Sequence, residues 1–209
     1  MWVIVTCDNS EACQQTLDSL WETSGNNFVI VNGGNDDYSS VILPKGWELF
    51  RLTETKGVCE VLNNLYKLHS FEEFYGIIPD NCIVQCAEWQ QKIKEIVKGR
   101  YVVSCDDGNV NPFPFTGIRC WPGDLIRKVG FWGIPKVFAS GFDEGWIKIA
   151  WDVVLFDRVM DVRLSYIPRK QSVMDEEIEK HREQDKETFD YWRRNEYYKI
   201  FRKLQFGGE

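Results

Sequence analysis

Met1-Trp2-Val3-Ile4-Val5-Thr6-Cys7-Asp8 opens the chain with an apolar, β-branched run that stops abruptly at polar residues. A short run of this kind predicts a strand over residues 2–6 that is buried on both faces. Residues 10–21 predict a helix, with Ser10 as its cap and Ala12, Leu17, Leu20 and Trp21 at helical spacing. A second strand is expected over 28–31, ended by Asn32-Gly33-Gly34-Asn35-Asp36, and a third over 47–52. A helix over 57–68 follows, carrying Val58, Val61, Leu62, Leu65 and Leu68 on one face. The fourth strand, 75–78, is stopped by Pro79-Asp80-Asn81. A helix over 88–97 then leads to a fifth strand, 101–105, that runs into Asp106-Asp107-Gly108.

Strands alternating with helices predict an α/β fold, a Rossmann-type and mainly parallel sheet flanked by helices. Ligands bind such sheets beyond the carboxyl ends of the strands. Thr6, Cys7 and Asp8, the stretch from Asn32 to Asp37, Asp80 with Asn81, and Asp106 with Asp107 therefore fall on one rim. The same residues also suit ordinary Asp-Gly and Asn-Gly turns, whose side chains bond their own backbone.

Residues 109–141 are rich in Pro, Gly and aromatics. A short helix is expected at 124–129, capped by Asp124 and ended by Gly130, then a helix from 142 to 154 and a closing strand at 162–167. Ser172-Val173-Met174-Asp175 has the spacing of a capping box. A long polar helix is predicted from about 174 to 204, an arm packed along the domain or against a partner. The expected organisation is one domain over 1–170, with a change of character near 108, and a C-terminal helical arm at 171–209.

Composition narrows the function. A formal charge of −7 over 209 residues argues against tight sequence-independent binding to duplex nucleic acid, which needs clustered Lys and Arg. A local cluster at Arg193, Arg194, Lys199, Arg202 and Lys203 leaves room for a basic patch. Seven cysteines form no zinc-ligand array and predict reduced thiols. The start lacks the basic and long apolar segments of a signal peptide, and no stretch approaches about 18 apolar residues. The expectation is a soluble cytoplasmic protein without a membrane partner.

No nucleophile-elbow or phosphate-loop pattern occurs, and Gly33-Gly34 is not the glycine pattern of a dinucleotide site. His69 and His181, the two histidines, are expected at the surface. Carboxylates remain. Asp80 at a strand end can bind a hard divalent cation (Mn or Mg) that neutralises a diphosphate. Asp143 or Glu144 can take a proton from an acceptor hydroxyl. Such a pair fits glycosyl transfer and metal-dependent phosphoryl transfer alike.

Phe74-Tyr-Gly-Ile-Ile-Pro-Asp80-Asn81, Glu88-Trp89, Cys105-Asp106-Asp107-Gly108, Asp124-Leu-Ile-Arg-Lys-Val-Gly130-Phe131 and Phe142-Asp143, with Asp175 and Tyr191-Trp192 downstream, occur in an order and spacing that resembles one family. It is that of small phage glycosyltransferase-like proteins of the GT-A fold, related to the base-J-type DNA glycosyltransferases, and the match runs from about residue 1 to 192. The resemblance implies a nucleotide sugar, a UDP-sugar, as co-substrate. It implies donor contacts from Thr6, Asp8, Asp36, Asp37, Asp80, Asn81, Asp106 and Asp107, with Asp80 as metal ligand and Asp143 as base of inverting transfer. Trp121, Phe131, Trp132 and Trp146 are the expected acceptor-binding residues.

Two departures stand out. Pro79 replaces the first acid of the family's metal-binding pair, and Leu164-Ser-Tyr166-Ile-Pro-Arg169 carries no His-x-His. Either the metal is held more weakly, or Arg169 and Lys170 neutralise the diphosphate, or activity has been lost. Three readings follow: transfer to a 5-hydroxymethylpyrimidine in phage DNA, whose base must be flipped out to be reached; transfer to a polysaccharide or protein; and an inactive relative serving as a binding module.

Overall fold

The computed structural model describes residues 1–21, 23–106, 117–153, 156–168 and 170–206. Strand β1 (Trp2–Thr6) is followed by α1 (Ser10–Ser19), β2 (Asn27–Asn32), β3 (Trp47–Leu52), α2 (Val58–Leu68), β4 (Phe74–Ile77) and β5 (Cys82–Val84). Then come α3 (Trp89–Lys98), β6 (Val102–Asp106), β7 (Arg119–Pro122), α4 (Gly123–Val129), α5 (Phe142–Asp152), β8 (Phe156–Tyr166), α6 (Val173–Asn195) and α7 (Tyr197–Phe206).

Eight strands form one sheet in the order β3-β2-β1-β4-β7-β6-β8-β5. It is parallel through β3, β2, β1 and β4, and again between β6 and β8. Strand β7 lies antiparallel between β4 and β6, and β5 runs antiparallel to β8. The period-2 alternation of each strand divides the apolar residues between two cores. Trp2, Ile4, Val29 and Val31 face α1 and α3 through Leu17, Trp89 and Ile93. Val3, Phe28, Ile30 and Tyr75 face α2, α4 and α5 through Leu62, Ile126 and Trp146. Gly76 is fixed by this packing: a Cβ there would sit 2.0 Å from Cε3 of the Trp2 ring.

Six expectations need correcting, two of them caps: α1 starts from Asn9 with Ser10 already helical, and α4 starts from Pro122 with Asp124 inside its first turn. Residues 82–84 and 119–122 are strands, although both lie where loop was expected. The closing strand is 11 residues long, beginning at Phe156. The tail is two helices, broken at Glu196, and the break lets Trp192 of α6 and Tyr197 of α7 both enter the core beside α5. The arm therefore packs along the domain. The capping box at its start forms as expected: Ser172 accepts from Asp175 N–H, and the Asp175 side chain accepts from the backbone of Ser172. None of the described helices is long and apolar enough to cross a membrane, and all seven cysteines are free.

Candidate active site

The first turns after β1 and β4 meet at a cleft of about 270 Å³ that includes Thr6, Asp80, Asn81, Arg119, Phe142 and Asp143 among its walls. Asp80 is only 6% exposed. Its Oδ2 accepts from Thr6 Oγ1 at 2.9 Å and from Asn9 Nδ2 at 3.2 Å. The Thr6 hydroxyl donates its hydrogen bond to Asp80, so the 2.8 Å bond between Thr6 Oγ1 and Tyr38 Oη is donated by the tyrosine. Tyr38 in turn accepts from the Asn9 backbone at 3.0 Å. Burial pushes the Tyr38 phenol far up, so it stays a donor. The chain of bonds runs one way, toward the carboxylate. Asn81 Nδ2 donates to the Ile167 carbonyl at 2.9 Å and ties the end of β8 to this rim.

Arg119 enters from β7, where it pairs in register with Ile77 of β4. Its guanidinium forms an ion pair with Asp143 and lies 5.9 Å from the Phe142 ring centroid. Asp143 sits in the first turn of α5, after Gly141 in the left-handed conformation. Glu144, the other expected base, is exposed and does not line the cleft. A loop from 138 to 140 leads into α5, and Asp185 of α6 holds it. Asp185 is 1% exposed and accepts from the backbone N–H groups of Phe138, Ala139 and Ser140.

The other expected donor residues serve local architecture. Asp8, with φ 52°, accepts from Asn35 and Asp36 N–H through Oδ1 and from Val173 N–H through Oδ2. It staples the rim to the start of α6. Asp36 caps α1 by accepting from Ser10 N and Oγ at 3.1 Å each. Asp37 closes a turn on Ser39 and lies outside the cleft. Asp8 and Asp36 do line a neighbouring groove with Lys170. Asp107, Arg169 and the side chain of Asp106 lie outside the described residues.

Trp121, Trp132 and Trp146 are each 0% exposed, and Phe131 is 9% exposed. They pack in the core behind the cleft, with Trp121 against Trp132, Phe142 and Trp146. These rings have almost no surface to offer an acceptor, which corrects that expectation. Burial pushes the thiol of Cys7, at the rim, up to about 11, so it stays protonated near neutral pH.

A divalent cation of the Mn or Mg type needs several oxygen ligands in fixed geometry. Here Asp80 stands beside Pro79, its Oδ2 already accepts two hydrogen bonds, and among the described residues no three His, Cys, Asp or Glu side chains converge. Among the described residues, which leave out Asp107 and the Asp106 side chain, this donor set does not fit a cation held by the protein itself.

Asp8 carries a pH signature. Burial pushes its carboxyl up, but the backbone donors of Asn35, Val173 and Asp36 outweigh this and hold it below the usual range. A carboxyl lowered by folding adds stability above its unfolded value, near 3.9, and loses it as pH falls through the folded value. The melting temperature should therefore drop on acidification from about pH 5 to about pH 3, and Asp8→Asn should flatten that drop. Identical slopes for the two proteins would remove the staple's electrostatic role.

No family model matches the chain, and no curated protein sequence does. Solved structures match well in fold. A mannosyltransferase from Pyrobaculum calidifontis, in complex with GDP-Man and Mn2+, superposes with TM-score 0.61 at 14% identity over 82% of this chain. TarS from S. aureus in complex with UDP-GlcNAc gives 0.60 at 12% identity over 83%. Glucosyl-3-phosphoglycerate synthase from Mycobacterium tuberculosis, with Mn2+, UDP and glucosyl-3-phosphoglycerate, gives 0.60 at 13% over 90%. The chain spans 57%, 60% and 77% of those proteins respectively. The fold is thus that of the GT-A glycosyltransferases, as the resemblance implied, on the mainly parallel sheet that the alternation of strands and helices implied.

Proposed function

We propose that the protein is a glycosyltransferase that moves a sugar from a nucleoside diphosphate to an acceptor hydroxyl. The observation that carries this reading is the placing of Asp80, Arg119 and Asp143 in one cleft beyond the ends of β1 and β4, on a GT-A frame. Thr6 and Asn81 face the donor and Asp80 orients it, while Asp143 faces the acceptor. In the transfer step, the acceptor oxygen bonds to the anomeric carbon as the bond from that carbon to the diphosphate oxygen breaks. The acceptor proton passes to the Asp143 carboxylate. The nucleoside diphosphate leaves with the electron pair. Attack from the face opposite the leaving group inverts the anomeric centre.

The acceptor is assigned from the resemblance alone, as a 5-hydroxymethylpyrimidine in DNA. The basic side chains Arg193, Arg194, Lys199, Arg202 and Lys203 suit a phosphate backbone.

A thermal-shift panel of UDP- and GDP-sugars tests the donor. A ligand at 100 times its Kd stabilises the folded state by about 2.7 kcal/mol, a rise of roughly 5–10 °C for a chain of this size. A shift with one donor, followed by its transfer to hydroxymethylated DNA, supports the full reading. Transfer to a glycan or protein instead replaces the acceptor, and a cooperative melt that no nucleotide sugar moves overturns the function.

A further inference from the structure

The cleft contains an unusual balance of charge. Two carboxylates, Asp80 and Asp143, line it, and Arg119 is the one cation among its described lining residues. A diphosphate entering this space meets repulsion from both acids unless a positive group faces it. Asp80 is held by Thr6 and Asn9, and among the described residues the donor set does not fit a protein-held cation. Arg119 is placed for the task but occupied, because its guanidinium is paired with Asp143. Its Nε is buried without a hydrogen-bond partner, so the guanidinium has donor capacity that its present partner leaves unused. A guanidinium presents five donors in a planar fork suited to phosphate oxygens.

The pair with Asp143 has a second consequence. The guanidinium holds Asp143 Oδ1 in the free protein, so that oxygen is not offered to an acceptor hydroxyl. The pairing is also open to exchange. The Asp143 side chain is 43% exposed, and the anion of a diphosphate carries more charge than one carboxylate.

Resting on the glycosyltransferase reading, we propose that Arg119 is the diphosphate-binding cation and that it reaches the donor by leaving Asp143, so that donor binding releases the base. The diphosphate and Asp143 then compete for one guanidinium. Substrate order follows: the donor binds first, and only the donor-bound protein presents a free carboxylate to the acceptor. The leaving diphosphate keeps Arg119 as its charge partner while negative charge grows on it, which is where such a cation lowers the barrier.

Isothermal titration separates this from a structural role. UDP, GDP, uridine and guanosine are titrated, in EDTA, into wild-type protein, Arg119→Gln, Arg119→Lys, Asp143→Asn and the Gln/Asn double variant. Wild type is expected to bind one nucleoside diphosphate in EDTA. Arg119→Gln should weaken that diphosphate by about 10- to 100-fold, as loss of charge-assisted hydrogen bonds implies, with the nucleoside unchanged. Arg119→Lys should recover part of the loss. Asp143→Asn should bind the diphosphate several-fold tighter, because the competitor for Arg119 is gone, and the double variant should lose that gain. Equal diphosphate affinity in wild type and Arg119→Gln overturns the proposal, as does unchanged or weaker binding in Asp143→Asn. Binding that disappears in EDTA overturns it too, by assigning the diphosphate charge to a metal. Wild-type protein that binds no nucleotide or nucleotide sugar with or without Mn2+ removes the glycosyltransferase reading itself, and the proposal with it.

Discussion

Replacing Asp143 with Asn is expected to slow sugar transfer by about 10²- to 10⁴-fold, the usual contribution of a positioned general base, with donor binding no weaker than in wild type. Position supports the size of this effect. Asp143 lies in the first turn of α5 and its side chain opens into the cleft that also holds Asp80. Asn keeps the shape and can still accept a hydrogen bond, but it cannot take the acceptor proton at neutral pH. Glu144 is the internal control: it is exposed, lies one residue further around the helix and does not line the cleft. Glu144→Gln should change the rate by less than about twofold, as surface substitutions usually do. Single-turnover rates with saturating donor decide between them. A wild-type rate in Asp143→Asn would move the base elsewhere, and a collapse of donor affinity in that variant would make Asp143 a donor ligand.

The second large effect concerns a residue far from the chemistry. Asp185→Ala should destabilise the protein by about 3 kcal/mol, because three backbone N–H groups lose their acceptor together and each unmet donor costs about 1–3 kcal/mol when water cannot fully replace it. For a chain of this length that is a fall of roughly 6–12 °C in melting temperature. Transfer should suffer more than stability alone explains. The N–H groups of Phe138, Ala139 and Ser140 belong to the loop that delivers α5, and Phe189, one turn further along α6, packs against Gly141. Asp185→Asn retains an acceptor and should recover part of both losses. A melt unchanged by Asp185→Ala would mean that solvent satisfies this loop unaided.

Much of this architecture can be read from local pattern. The first three strands, α2 and the start of α5 fall where runs of apolar residues put them. That Thr6, Asp80 and Asn81 share one cleft was legible for a topological reason, since parallel strands deliver their carboxyl ends to one rim. Strand β7 was not. Arg119-Cys120-Trp121-Pro122 is four residues long, ends in Pro, and draws its hydrogen bonds from β4 and β6, so nothing within the segment marks it. Arg119 was lost with it.

The tryptophans failed for a different reason. Composition shows that Trp121, Trp132 and Trp146 are large and flat, but a ring that stacks on a ligand and a ring that fills a core are the same residue. Only their burial separates the two. Asp185 did leave a signal. His181, Asp185, Phe189 and Trp192 recur at four, four and three residues along α6, a stripe on one helical face that includes an acid where a core residue belongs. Tyr38 left none, since its place between Thr6 and Asn9 depends on the path of the loop after β2.

The bond from Val173 N–H to Asp8 joins residues 165 positions apart. Contacts of such separation are entropically the last to be won, because loop closure must come before any gain from the contact. A nascent chain can form β1, α1 and β2 early, yet the turn at Asp8 and the loop at 138–140 both wait for α6, which follows every strand of the sheet in chain order. The protein should therefore pass through an ordered but incompetent species, sheet formed and cleft unfinished. Its refolding should show native-like far-ultraviolet signal before it regains any capacity to bind a nucleotide.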